Sequence, residues 1–141
     1  MKKIDFYDVG NPIIQKDIDD FEAKFNIRLP QNYKKLLLRF NGGIPSEDCI
    51  YIDGEEGSIG GFYSLTRNEA LLENAITDFQ LIEDIIPKNY VPIAYDAFGN
   101  PYCISIDKKN YGEIFCWFLD TGDEEGIFVA NTLEEFLGGE I

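Results

Sequence analysis

The chain has 141 residues, 45% of them apolar and 14% aromatic. That is enough to bury a stable core without metals or disulfides, which excludes disorder as the main state. Its 26 acidic and 12 basic residues leave a net charge of −14, a field that repels nucleic acid and anionic membranes and attracts basic partners. The length fits one domain, expected to span residues 1–141. No run approaches the roughly 20 apolar residues of a membrane helix. Met1-Lys2-Lys3 has no apolar stretch behind it, so no signal peptide is expected.

The charge is unevenly placed. Residues 1–48 carry eight acidic and eight basic side chains, whereas residues 49–141 carry 18 acidic against 4 basic. Cys49, Cys103 and Cys116 are odd in number and sit in apolar, strand-like contexts, which reads as reduced, buried thiols in a cytoplasmic protein.

Asn11-Pro12 reads as a helix opening, with Asn as cap and Pro at the first helical position. Ile14, Ile18, Phe21 and Phe25 follow at helical spacing. Pro30 opens a second helix, whose core-facing stripe is Tyr33, Leu36, Leu37 and Phe40 and whose end is Asn41-Gly42-Gly43. From Cys49 the texture becomes strand-like. Cys49 to Ile52 and Ile59 to Leu65 are expected strands, separated by an acidic turn from Asp53 to Gly57. Thr66-Arg67-Asn68-Glu69 has the form of a capping box, leading a helix that carries Leu72, Ile76 and Phe79 and is finished by Pro87.

Val91 to Tyr95 and Tyr102 to Ile106 read as a hairpin about the Asp96–Asn100 turn. Glu113 to Leu119 and Gly126 to Ala130 form a further pair around a second acidic loop, Asp120 to Glu125. Thr132-Leu133-Glu134-Glu135 caps a closing helix carrying Phe136 and Leu137. The sum is an α+β fold, an antiparallel sheet with helices packed mainly on one face.

The chain contains no histidine, which removes Ser-His-Asp triads, Cys-His pairs, histidine acid–base catalysis and the usual zinc sites. It has no CxxC, and its glycine pairs lack the lysine of a phosphate-binding loop. No cofactor is expected. Paired carboxylates as catalytic acids and bases are weighed against solvated loops, and the loops are the plainer reading. The Asp120–Glu125 run offers hard oxygen ligands, but its spacing misses the calcium-loop pattern, so no metal is assigned. Trp117 and Tyr111 fit a binding platform, although Trp117 between Cys116 and Phe118 fits a core position better.

Ile18-x-x-Phe21-Glu22, Ile27-x-Leu29-Pro30-x-x-Tyr33, Leu37 and Asn41-Gly42-Gly43 together resemble the signature of the SUKH superfamily. That superfamily includes the yeast cell-wall-synthesis regulator and many bacterial immunity proteins. Pro92-Ile93-Ala94-x-Asp96-x-x-Gly99-Asn100, Tyr111-Gly112-x-Ile114-x-x-Trp117 and Thr132-Leu133-x-x-Phe136-Leu137 are similar to later family features. The resemblance implies a non-catalytic immunity protein whose partner is a cognate toxin with a basic nuclease domain, without direct contact to nucleic acid or membrane. The family offers no catalytic residues to carry over. On charge and accessibility, the residues expected to meet the toxin are Asp53, Glu55, Glu56, Asp120, Asp123, Glu124 and Glu125. The alternatives are a regulatory or scaffolding module and, more distantly, a carboxylate-dependent hydrolase.

Overall fold

The computed structural model describes residues 3–47, 49–52, 55–120 and 125–141. After β1 (Phe6–Tyr7) come α1 (Gln15–Phe25), α2 (Gln31–Arg39) and β2 (Ile44–Pro45), which returns antiparallel to β1. β3 (Cys49–Ile52) and β4 (Glu55–Ser58) form an antiparallel hairpin that pairs Ile52 with Glu55. Then follow β5 (Gly61–Phe62), α3 (Leu72–Ile76), β6 (Tyr90–Tyr95), β7 (Pro101–Ser105), β8 (Ile114–Cys116), β9 (Ile127–Ala130) and α4 (Leu133–Leu137). Strands β5 to β9 make a five-stranded antiparallel sheet in chain order. This is the α+β arrangement that the sequence predicts.

The helical pair forms for the reasons its spacing gives. Ile18 and Phe21 of α1 and Tyr33, Leu36 and Leu37 of α2 are buried in one core with Phe62, Tyr102, Ile104, Ile114, Leu133 and Phe136. Asn26 closes α1 in the left-handed conformation at φ 54°. Glu22 locks the link between the helices: its carboxylate accepts the Leu29 N–H at 2.7 Å and meets Lys34 Nζ at 3.5 Å.

Helix α1 starts later than Asn11-Pro12 suggests. The Asp17 carboxylate accepts the Ile14 N–H at 2.9 Å, so the first turn is closed there. Asn11 serves elsewhere, its carbonyl accepting from Asn41 Nδ2 at 2.8 Å. As a result Ile13 is buried and Ile14, expected to open the buried stripe, is 64% exposed, while Ile18 and Phe21 keep their places in it.

Asn41 is not a simple cap. It is buried, and its amide donates to the Asn11 carbonyl and to Thr66 Oγ1 while its oxygen accepts the Leu65 N–H. Gly42 and Gly43, at φ +82° and +101°, make the turn.

Three further expectations are corrected. Glu55 to Gly57 belong to strand β4 rather than to a turn, because they pair with Ile52, Tyr51 and Ile50 in that order. The strand expected from Ile59 to Leu65 is confined to Gly61–Phe62, since Ser64 leaves the ladder and its Oγ accepts the Thr66 and Arg67 N–H groups at 3.1 Å. Thr66 is therefore no helix cap. A 3-10 turn at Asn68–Ala70 precedes α3, and a π-helical turn at Thr77–Ile82 follows it. Buried Gln80 secures that turn by donating to the Pro87 and Tyr90 carbonyls.

The sheet is covered on both sides, unequally. Tyr102, Ile104, Ile114 and Cys116 face the helices, while Cys103 and Trp117 face a smaller cluster with Ile86, Phe79 and Ile85. Trp117 is a core residue, 2% exposed, and Gly126 lies against its ring so closely that a Cβ there would sit 2.5 Å from a ring carbon. Burial pushes the Cys116 thiol up to about 12 and holds Cys103 well above the usual thiol range, so both are neutral thiols at ordinary pH. α4 keeps its predicted cap, with Thr132 Oγ1 accepting the Glu135 N–H at 3.0 Å and Gly138 left-handed at the other end.

Candidate functional site

The β6–β7 turn, the β4 strand and the segment after β8 come together around a cleft of about 830 Å³. Its walls include Glu56, Ser58, Phe98, Leu119, Asp120 and Ile127, with Asp96, Asn100 and Tyr102 beneath. Glu56 and Asp120 come from the two acidic stretches, 64 residues apart in sequence, and here they border one space. None of the described lining residues is a lysine or arginine.

A hydrogen-bond frame sets the shape of these walls. Asp96, 8% exposed, accepts the N–H groups of Phe98 and Asn100 at 2.8 Å and the Asn100 amide at 3.0 Å. That side-chain mimic of a turn works with Gly99, whose φ of +84° suits glycine. Asn100 Oδ1 then accepts the Leu119 N–H at 2.9 Å, which ties the segment after β8 to the β6–β7 turn. Tyr102 donates to the Ser58 carbonyl at 2.6 Å, which ties β4 to the sheet. Burial, with Cys116 and Asp96 alongside, pushes the Tyr102 phenol pKa up and keeps that proton in place.

Of the seven predicted contact residues, the structure brings together Glu56 and Asp120. Glu125 is exposed, two residues before Ile127 of the cleft wall. Glu55 precedes Glu56 on β4, and Asp53, Asp123 and Glu124 lie outside the described residues. Tyr111 is exposed but away from this cleft, so it builds no platform with buried Trp117. Sequence reasoning missed Phe98 and Leu119. The signal for Phe98 was a large aromatic inside a stretch otherwise made of turn residues.

Among the described residues no group of three or more His, Cys, Asp or Glu side chains is placed to hold a metal ion. No helix of the described residues is long and apolar enough to cross a membrane.

An antiparallel sheet backed by a Leu-Pro-linked helical pair, with Asn-Gly-Gly closing it, defines an α+β class of domain. The chain belongs to the SMI1 / KNR4 family (SUKH-1), whose pattern matches residues 12–139. Among Bacillus subtilis (strain 168) proteins it is similar to the SPbeta prophage-derived uncharacterized protein YokK, at 28% identity over 86% of this chain and 71% of YokK. It is also similar to the uncharacterized proteins YobM, at 38% identity over 86% of this chain and 61% of YobM, and YnaB, at 29% over 81% and 65%. The chain thus spans about two thirds of the length of these relatives. Family membership carries a broad immunity-type role.

Proposed function

We propose that this chain is a cytoplasmic immunity protein that binds and neutralises a cognate toxin, and that the toxin carries a basic nuclease domain. The observation that carries the reading is that Glu56 and Asp120 line one cleft within a chain of net charge −14. Nucleases present cationic surfaces to phosphate. An anionic cleft with apolar walls occupies such a surface, or blocks it from beside, and excludes the nucleic acid.

A specific interface needs roughly 1,200–2,000 Å² in total. The cleft, with Glu56 and Asp120 among its walls, supplies a centre for one. Opposite charge speeds the encounter, and close packing at the centre slows dissociation. The chain acts by occupation and needs no catalytic group of its own.

The experiment is co-expression with the toxin domain encoded beside this chain's gene. Wild-type chain is expected to restore growth and to co-purify with the toxin at roughly equal amounts. Persistent toxicity with no complex would remove the immunity reading and favour a regulatory module.

A further inference from the structure

Phe98 is 90% exposed, the most exposed of the large apolar side chains among the described residues. Nothing in the turn itself requires an aromatic there. Asp96, Gly99 and Asn100 already supply the acceptor, the positive φ and the amide that shape it. The same frame holds Leu119, 39% exposed, through its N–H, so two apolar side chains are presented from a backbone fixed by buried polar groups. A free protein forgoes burial by keeping Phe98 in water. An exposed aromatic on a fixed backbone is a usual anchor of binding, because covering it recovers the forgone burial without the cost of ordering the loop.

The charge beside these anchors selects the occupant. Glu56 and Asp120 line the same cleft, and no lysine or arginine is among its described lining residues. An arginine meets both demands. Its stem and planar guanidinium pack on an aromatic face, and its forked N–H groups suit a carboxylate in two parallel bonds. Lysine offers a compact, strongly hydrated charge and satisfies the pair less well.

We infer that the cleft takes an arginine-bearing, partly apolar segment of the partner, with Phe98 and Leu119 as its apolar anchors and Asp120 and Glu56 as its anionic wall. This rests on the toxin-binding reading for the source of the segment, and adds the chemistry by which the cleft holds it. The acidic stretches then govern the rate of encounter, while Phe98 governs the lifetime of the complex.

The test needs no toxin. The acetylated, amidated pentapeptide glycine-leucine-arginine-leucine-glycine is titrated against 15N-labelled chain, to about 10 mM so that millimolar binding is visible. The expected result is saturable shifts at the amides of Phe98, Leu119, Asp120 and Ile127. Replacing arginine by citrulline removes the charge at nearly constant shape and is expected to weaken binding about fivefold. Phe98→Ala is expected to weaken it about tenfold without changing the thermal midpoint, because the side chain is exposed.

Shifts located elsewhere, no shifts at all, or equal binding by Phe98→Ala would overturn the inference. Peptide bound in the cleft without neutralisation of the neighbouring toxin leaves this inference standing and removes the immunity reading. The reverse pattern, neutralisation with no peptide in the cleft, removes this inference alone.

Discussion

Asn41→Leu is expected to destabilise the chain by about 3 kcal/mol, a large share of the stability of a domain this size. Leucine keeps the branched outline of asparagine but sets bulkier methyl groups where the oxygen and NH2 stood, so the lost hydrogen bonds are joined by a smaller cost of overpacking. The substitution removes the acceptor for the Leu65 N–H and the donor to the Asn11 carbonyl and to Thr66 Oγ1. Asn41 is 3% exposed, so water does not readily replace these partners, and an orphaned buried group costs about 1–3 kcal/mol. Three segments come apart together: the approach to α1, the end of α2 and the stretch after β5. Thr66→Val removes one member of the set and is expected to cost about 1 kcal/mol. Urea titrations of both variants check the ranking; equal losses would mean that Asn41 does not act as the junction.

Neutralising Glu56 and Asp120 together, as Glu56→Gln with Asp120→Asn, is expected to slow association with the toxin about tenfold at low salt. The matched control is Asp19→Asn with Asp20→Asn on α1. Among these, Asp20 meets Lys16 in an exposed i,i+4 pair of little energetic weight. The control changes the net charge equally but leaves the cleft intact, so its association rate is expected to fall by less than about twofold. Stopped-flow association across a range of salt separates the two. A steep salt dependence is expected for wild type, a shallower one for the cleft variant and a nearly unchanged one for the α1 variant. Equal effects from both pairs would return the acidity to plain solubility.

The helical pair could be read from the chain because its information is local. Apolar residues at three- and four-residue spacing have one way to face a core, and Tyr33, Leu36 and Leu37 do so. The Thr132 cap is equally local, a hydroxyl three residues from the N–H it accepts. What escaped the reading depends on distant partners. Thr66 has the spacing of a capping box, yet its hydroxyl is engaged by Asn41, 25 residues earlier, and Ser64 takes the local N–H groups instead. Asn41 before two glycines looks like a helix end, and only its burial reveals a junction.

The same distinction governs the site. That Glu56 and Asp120 are acidic is plain in the sequence. That they share a cleft follows from β4 being tied to Tyr102 through Ser58, and from Leu119 being tied to Asn100. No periodicity encodes either tie. Charge and accessibility single out the seven acidic residues and pass over an exposed Phe98 in a polar turn.

Hydrogen exchange of the toxin-bound chain compared with the free chain tests most directly whether this cleft is the binding site. Binding there is expected to slow exchange at Phe98 to Asn100, at Leu119 and Asp120, and around Ile127, with α1 and α2 unchanged at their exposed faces. Protection concentrated on α1 and α2, with the cleft amides exchanging as in the free chain, would contradict it.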